Sequence, residues 1–307
     1  MRIRATVAAV TGAMALSAFV APSALAADSG SSYKADVAKV LEAAHHAAGK
    51  SAFSSSAAAE PQPYQLDVTF SNFKIAKAVK IGTTNHVSTT VTYTLNHGAD
   101  VDVTADDFLS GPYIYRGSFT DQDNWLIGDE PATCKVVSAT AETCTGKIDA
   151  YPGDGELASS DAGTWKGAAI AIAYNGQLDT DNGDITKVGL AEQGSLGTTL
   201  VQRVSRLTVN AAPEPVKKGA TITVTGALTR ANWDDNKYHG YTGQSVQLEF
   251  RKKNSKKYTL VKTVKTDSRG NLKTTVKASV DGYFRYNFAG TTTTPAIAAA
   301  GDFVDVK

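Results

Sequence analysis

Alternating hydrophobic and polar positions dominate the chain after residue 60. Side chains two positions apart lie on one face of a strand, so this period predicts half-buried strands. The alternation is clear in residues 64–70 and again in residues 87–95. Residues 167–174 form a more continuous apolar run, which is typical of a central strand. Residues 61–208 are therefore expected to form one large β-sandwich, with long loops at 119–132 and 151–164.

The alternation becomes more regular from residue 209 to the end of the chain. Turns rich in Gly, Asn and Asp separate about seven short strands, the rhythm of an immunoglobulin-like sandwich. The alternating positions on these strands are Ile222, Val224, Val246, Leu248, Phe250, Leu272, Thr274, Val276, Phe284, Tyr286 and Phe288. The sequence thus predicts an all-β protein with two β-sandwich (Ig-like) domains in tandem, at 61–208 and 209–307.

The first 26 residues have the organisation of a signal peptide. Arg2 and Arg4 precede an uncharged apolar run at 5–20, and Ala24-Leu25-Ala26 supplies the small residues that a signal peptidase reads. Cleavage after Ala26 would leave 281 of the 307 residues, enough for two domains. No later apolar stretch approaches the roughly 20 residues of a membrane span. We therefore expect a secreted protein, extracellular or associated with the cell wall.

A single helical pattern follows the leader. Val37, Val40, Leu41 and Ala44 are spaced as on one face of a helix, which predicts a short amphipathic helix ending near Gly49. This helix either packs on the first domain or is loosely ordered. Residues 51–60 are rich in Ser and Ala and carry no hydrophobic pattern, so 27–60 is interpreted as a helix and a linker.

The nearly neutral net charge conceals two oppositely charged halves. Residues 209–307 contain 16 Lys and Arg against 8 Asp and Glu, a net charge of +8. Residues 27–208 contain 13 against 22, a net charge of −9. This division indicates either that the halves attract each other or that the second half offers a basic surface to a partner.

Cys134 and Cys144 are the only cysteines. In an exported protein they are expected to form a disulfide, here across one hairpin. Closing so short a loop should stabilise the fold by about 2–3 kcal/mol in the chain-entropy model.

The second half resembles the Ig-like modules of secreted actinobacterial proteins. The resemblance is carried by the strand-forming sequences at 244–251 and 261–267, by Gly270-Asn271-Leu272, and by the sequences at 281–286 and 301–306. It covers the last third of the chain and implies the fold, but no particular activity. The whole chain is similar to secreted streptomycete proteins, some of which are labelled calcium-binding.

The common hydrolase motifs are missing. There is no Gly-x-Ser-x-Gly and no His-Glu-x-x-His, and two Ser-x-x-Lys matches lack their partner motifs. The protein is therefore expected not to be an enzyme, with a site of unrecognised type as the alternative.

The best candidate for a metal site is the acidic loop that contains Asp179, Asp181, Asn182 and Asp184. Its oxygens could converge on Ca²⁺, although an EF-hand would need Gly where Asp184 stands and Glu where Leu190 stands. An ordinary turn is the alternative reading. Asp121, Asp123 and Asn124 form a second acidic loop. The expected cofactor is accordingly none, or Ca²⁺.

The basic residues are concentrated at one predicted hairpin tip, which carries Arg251, Lys252, Lys253, Lys256 and Lys257. They could bind an anionic wall polymer, or they could keep an edge strand from aggregating. Nucleic acid is a less favoured partner because stacking aromatic residues are not interleaved with the cations. Trp125, Trp165 and Trp233 could form a sugar platform, or could lie in the core.

Together these features favour a secreted, non-catalytic binding protein of the extracellular space or cell envelope. The sequence does not identify the ligand, for which an anionic wall polymer bound by the basic second domain is one candidate. A calcium-binding extracellular protein and an enzyme are the two alternatives.

Overall fold

The computed structural model describes residues 29–48, 61–177 and 183–307. One α-helix lies in these ranges, α1 at Ser29–Ala48, in agreement with the helix predicted to end near Gly49. The predicted signal peptide at 1–26 and the predicted linker at 51–60 lie outside the described residues. No described helix is long and apolar enough to cross a membrane.

Ten strands make up the first sandwich. They are β1 (Tyr64–Gln65), β2 (Val68–Lys74), β3 (Ala78–Ile81), β4 (Val87–His97), β5 (Phe108–Gly117), β6 (Gln122–Ile127), β7 (Thr133–Ser138), β8 (Ala141–Ala150), β9 (Gly163–Ala173) and β10 (Gly189–Arg203).

These strands form two sheets. One has the order β1-β10-β9-β5-β6, with β3 also paired to β10, and the other has the order β2-β4-β8-β7. The pairs are antiparallel except that β1 and β3 run parallel to β10. The inward side chains of both sheets share one core, in which Tyr93, Trp165 and Val201 are almost completely buried. Side chains two positions apart lie on the same face of a strand, so each sheet has one apolar face that lines the core, as the alternation predicted for Tyr93.

The larger sheet is covered on its outer face as well. Val37 and Val40 of α1 pack against Ile170 and Ile172 of β9 in a second apolar cluster. The alternate β9 residues, such as Ala169, point into the core between the sheets. Both faces of β9 are thus buried, which explains its continuous apolar sequence. The helix therefore packs on the first sandwich.

The prediction of a long loop at 119–132 is partly wrong. β6 lies within it and pairs with β5 as the outermost strand of the sheet. The first half of β6, Gln-Asp-Asn, is polar, which an edge strand tolerates because it has a neighbouring strand on only one side. These polar residues resemble a loop in the sequence, so the strand was not predicted. The loop at 151–164 contains two short 3₁₀ turns, Pro152–Asp154 and Ser159–Asp161, before β9 begins at Gly163.

Ten further strands make up the second sandwich. They are β11 (Ser205–Leu207), β12 (Asn210–Ala212), β13 (Thr221–Asn232), β14 (Lys237–Gly240), β15 (Ser245–Lys252), β16 (Thr259–Lys265), β17 (Asn271–Lys277), β18 (Gly282–Phe288), β19 (Ile297–Ala298) and β20 (Asp302–Val304).

In one sheet of this sandwich β13 is central and pairs with β11, β12, β14 and β17. The other sheet has the order β16-β15-β18-β19, with β20 also on β18. Val224, Leu248 and Tyr286 are fully buried between the two sheets, as the alternation predicted. Sandwiches in tandem, with strand as the dominant structure, confirm the predicted fold class. The division at residue 208 stays a prediction, although β11 already pairs with β13.

The β13–β14 hairpin of the second sandwich enters the core of the first. Ala231 and Trp233 belong to the first core, and Trp233 is 2% exposed. The Trp233 indole Nε1 donates to the Gly82 carbonyl at 2.7 Å. The Ser159 hydroxyl donates to Asn232 Oδ1 at 2.7 Å. Apolar packing and hydrogen bonds therefore both join the two sandwiches.

Replacing Trp233 by Ala should destabilise the first sandwich by about 3–5 kcal/mol, because it leaves a cavity in that core. Trp233→Phe keeps an aromatic ring but loses the hydrogen bond to Gly82, so it should lower the free energy of unfolding by less than Trp233→Ala does. Urea unfolding gives the free energies, and hydrogen exchange shows which strands lose protection. Loss of protection confined to 205–307 would contradict the interlocked arrangement.

An ion pair ties the end of α1 to the sheet beneath it. His45 Nε2 lies 2.9 Å from Glu192 Oε2, and the Tyr113 hydroxyl donates to the other oxygen of the same carboxylate. The hydrogen bond with Glu192 raises the pKa of His45 above its ordinary value, against the opposing effect of burial. The protonated imidazole is therefore the form that binds the carboxylate best.

A raised pKa in the folded state stabilises the fold at pH values below the unfolded pKa, about 6.5. This contribution is lost as the pH rises through the folded pKa of His45. The free energy of unfolding of the wild type should therefore exceed that of His45→Gln most at pH 6, on the order of 1 kcal/mol. The difference should shrink by pH 9.

Chemical denaturation at both pH values measures this difference. His97→Gln is the control, because the His97 ring bonds a backbone carbonyl, that of Gly98, rather than a carboxylate. A difference for His45→Gln that grows with pH would contradict the assigned role.

Candidate functional site

The five cations singled out from the sequence lie at the β15–β16 hairpin, as predicted. We call Arg251, Lys252, Lys253, Lys256 and Lys257 the basic hairpin. Arg251 and Lys252 end β15, and the other three lie in the turn before β16. β16 is the outermost strand of its sheet. The hairpin is thus an exposed corner of the second sandwich.

Two of these cations already have partners within the protein. The guanidinium of Arg251 lies 3.7 Å from the ring centroid of Tyr283, and its Nη1 donates to the Ser255 carbonyl at 3.0 Å. Lys253 Nζ lies 3.4 Å from Asp281 Oδ2. The Val306 N–H, which donates to Asp281, and Lys253 both lower the pKa of that carboxyl. Arg251 and Lys253 therefore stabilise the hairpin itself.

The remaining three lysines are turned to solvent. Lys252, Lys256 and Lys257 are exposed, and none lies within 4 Å of a carboxylate in the part of the chain that the structure describes. Lys262 and Lys265 on the adjoining β16 are also exposed, and Lys262 Nζ donates to the Thr275 carbonyl at 2.9 Å. This surface therefore has a local excess of positive charge.

Two nearby aromatic side chains already have an arginine against one face of the ring. The guanidinium of Arg285 lies 3.8 Å from the ring centroid of Tyr258, and Arg251 covers Tyr283. Arg285 also donates to Glu249 at 2.7 Å. Stacking of a nucleic-acid base on those faces would have to displace these arginines. The arrangement suits a ligand recognised by charge rather than by stacking.

The acidic loop proposed for Ca²⁺ falls mostly outside the described residues, which leave out Asp179, Asp181 and Asn182. Asp184 is described, and its Oδ1 accepts from the Thr186 N–H at 3.1 Å and the Thr186 hydroxyl at 2.6 Å. Its Oδ2 lies 3.6 Å from Lys187 Nζ. The bonds from Thr186 lower the pKa of Asp184. Calcium binding at this loop stays a prediction.

In the second acidic loop, the side chain of Asn124 is engaged in hydrogen bonds within the protein. Asn124 donates to the Glu156 carbonyl and to Asp161 Oδ2, and its own Oδ1 accepts from the Trp125 N–H. Asn124 therefore acts as a structural bridge to residues 156–161.

The three tryptophans do not form a shared sugar platform. Trp165 is fully buried in the first core, where its Nε1 donates to the Asp161 carbonyl at 2.7 Å, and Trp233 is the interdomain residue described above. Trp125 is half-buried beside α1 and packs edge-on to Tyr113. Burial of the indole rings explains their positions.

The predicted disulfide is confirmed. Cys134 on β7 and Cys144 on β8 are directly paired across the antiparallel ladder, with their Cα atoms 4.0 Å apart. The bond joins the outermost strand of the smaller sheet to its neighbour. It is a structural crosslink.

Sequence reasoning missed one cluster, made of His86, Asp129 and Asp149. His86 Nε2 lies 2.8 Å from Asp149 Oδ1, and one ligand atom from each residue lies within 4.8 Å of the others. Asp149 is 4% exposed. Burial raises its pKa, but hydrogen bonds from Ser88, the Asp129 N–H and His86 outweigh burial and lower it. A buried carboxylate is thus held ionised beside an imidazole.

The cluster lies at one end of an open cleft of about 470 Å³. The cleft is also lined by the charged residues Glu130 and Lys147 and by four hydroxyl residues, Ser88, Thr90, Thr133 and Thr145. The three residues are far apart in the sequence, and no local motif marks them. Knowledge of the pairing between β4 and β8 would have been needed to find His86 and Asp149. That pairing places Ser88 opposite Asp149, and His86 is only two residues before Ser88.

Comparison with known proteins gives distant structural matches only. No protein-family model matches the chain, and no curated protein matches its sequence. Among solved structures, it is similar to the adhesin InvE of Yersinia pseudotuberculosis at 17% identity and a TM-score of 0.23, covering 77% of this chain and 56% of that one. It is also similar to the Escherichia coli adhesin FdeC at 12% identity and a TM-score of 0.29. That match covers 77% of this chain and 65% of FdeC.

Dimeric latent PorU of Porphyromonas gingivalis matches at 11% identity and a TM-score of 0.25, covering 78% of this chain and 20% of that one. The chain spans less than two thirds of the length of each of these three proteins. TM-scores this low carry no argument about ligand or partner.

Proposed function

We propose that this is an extracellular, non-catalytic binding protein whose second sandwich holds an anionic polymer of the cell envelope. The observation that carries the proposal is the set of exposed, unpaired lysines on the basic hairpin, Lys252, Lys256 and Lys257. They lie on the half of the chain that carries a net charge of +8, from 16 Lys and Arg against 8 Asp and Glu. The signal peptide predicted at 1–26 supports an extracellular location.

The different environments of the arginines and the lysines favour a flexible polyanion as ligand. Arg251 and Arg285 are held against rings, whereas the lysines extend their ammonium groups into water. An ammonium is a compact point charge on a flexible stem, so it can follow phosphates or carboxylates that have no fixed spacing. Wall teichoic acid has this chemistry, and its binding would weaken as salt screens the charges.

An alternative role for the same lysines is protection of the edge strand. β16 is exposed along its length, and Leu260 and Val261 are 58% and 41% exposed. Charges beside such an edge prevent pairing with another chain. The two roles make different predictions about binding to purified envelope.

Substituting Lys252, Lys256 and Lys257 together by Gln should lower envelope binding about tenfold or more, because each removes a charge worth up to about 1 kcal/mol near an anionic surface. Co-sedimentation of the full mature chain with purified cell envelope measures it. The salt series runs from about 0.05 to 0.5 M NaCl, over which the Debye length falls from about 14 to about 4 Å.

The matched control is Lys74→Gln, Lys77→Gln and Lys80→Gln, which removes the same charge from exposed positions of the first sandwich. Wild type and control should pellet at low salt and be released at high salt. Equal loss in both variants would show that net charge, not the hairpin, is responsible. Unchanged pelleting of the hairpin variant, or no pelleting of the wild type, would refute the proposal.

A further inference from the structure

The cluster of His86, Asp129 and Asp149 lies on the first sandwich, away from the basic hairpin. It joins one imidazole nitrogen and two carboxylate oxygens, all within 4.8 Å of one another. Each comes from a different segment. His86 immediately precedes β4, Asp129 follows β6, and Asp149 lies near the end of β8.

From this geometry we infer that His86, Asp129 and Asp149 bind a divalent transition-metal ion, with Zn²⁺ the best match. Imidazole suits zinc and its neighbours, whereas calcium and magnesium prefer sites made of oxygen alone. Ligand atoms on a tetrahedral zinc lie about 3.4 Å apart. His86 Nε2 and Asp149 Oδ1 are 2.8 Å apart, so a bound ion would take the place of their hydrogen bond.

Surrounding contacts orient the ligands in advance. Asp149 Oδ2 accepts from the Asp129 N–H at 3.1 Å, which fixes the buried carboxylate. The His86 ring stacks on Tyr151 with centroids 4.4 Å apart, and the Tyr151 hydroxyl donates to Asp129 Oδ2. Tyr151 therefore positions two of the three ligands at once. Such outer contacts are typical of metal sites and strengthen binding.

The site is open on the side of the cleft. Three protein ligands leave a tetrahedral ion one position, which can face the cleft of about 470 Å³ and its hydroxyl groups. An oxygen donor, from water or from an anionic ligand, would complete the coordination there. The site would thus give the first sandwich a means of binding a ligand that is independent of the lysines of the second.

Two neighbouring ammonium groups oppose a bound cation, that of Lys147, which lines the same cleft, and that of Lys34, which contacts Asp129 directly. Lys34 Nζ lies 3.7 Å from Asp129 Oδ1 and 2.9 Å from Glu156 Oε1. Glu156 holds the ammonium even if Asp129 turns to a metal ion. Removing the charge of Lys34 should therefore strengthen metal binding, which gives the proposal a variant that acts in the opposite direction from loss of a ligand.

The experiment is calorimetric titration of ZnCl₂ into the mature chain, made without a histidine tag and freed of metal by a chelator. We expect one equivalent of zinc to bind, with no response to Ca²⁺ or Mg²⁺ at the same concentrations. His86→Gln should weaken zinc binding about tenfold or more, since loss of even an outer contact costs 10–100-fold. A rise in melting temperature with zinc should be lost in the same variant.

His239→Gln is the matched control. His239 Nε2 lies 2.7 Å from Asp235 Oδ2, a similar His–Asp pair without a third ligand in the described residues. It should bind zinc as the wild type does, and Lys34→Gln should bind it more tightly. Absence of zinc binding by the wild type would overturn the inference. Equal affinities of wild type and His86→Gln, or weaker binding by Lys34→Gln, would overturn it as well.

Discussion

Burial of alternate side chains between paired sheets is the constraint on which the rest of the structure depends. On β15 and β18 the inward positions carry Leu248 and Tyr286, which are fully buried. The positions between them must then face outward, and these include Arg251, Tyr283 and Arg285. Because a strand has a period of two, the apolar core dictates where the polar groups lie. The outer face of the second sandwich is thus a consequence of its core.

Arginine and lysine have different environments on that outer face. Arg251 and Arg285 stack on Tyr283 and Tyr258, where a planar guanidinium gains most from a ring. Lys252, Lys256 and Lys257 of the basic hairpin are instead exposed to solvent. As a result, the positive charge available to a partner comes from the turn and from β16, while the arginines secure the scaffold that presents it.

The two sandwiches are joined through Trp233, whose indole fills part of the first core while its chain belongs to the second. A contact of this kind couples the stability of the two halves. It also means that the opposite net charges of the halves are not the sole attraction between them. The His86 cluster and the basic hairpin are therefore presented by a connected framework, one on each sandwich.

The sequence by itself determined the all-β fold class, the helix, the disulfide and the position of the basic hairpin. All of these depend on short-range periodicity, turn residues or residues close together along the chain. It missed β6, because this edge strand begins with three polar residues that resemble a loop. It also left open whether α1 packs on the first domain, which the apolar outer face of the larger sheet decides.

Only the tertiary structure decided which distant residues meet. His86 and Asp149 are 63 positions apart, and Trp233 bonds a carbonyl 151 positions away. Contacts of this kind depend on strand order and on how sheets stack. Strand order and sheet stacking produce no periodic pattern in the sequence, because the same alternation of apolar and polar residues is compatible with many strand pairings.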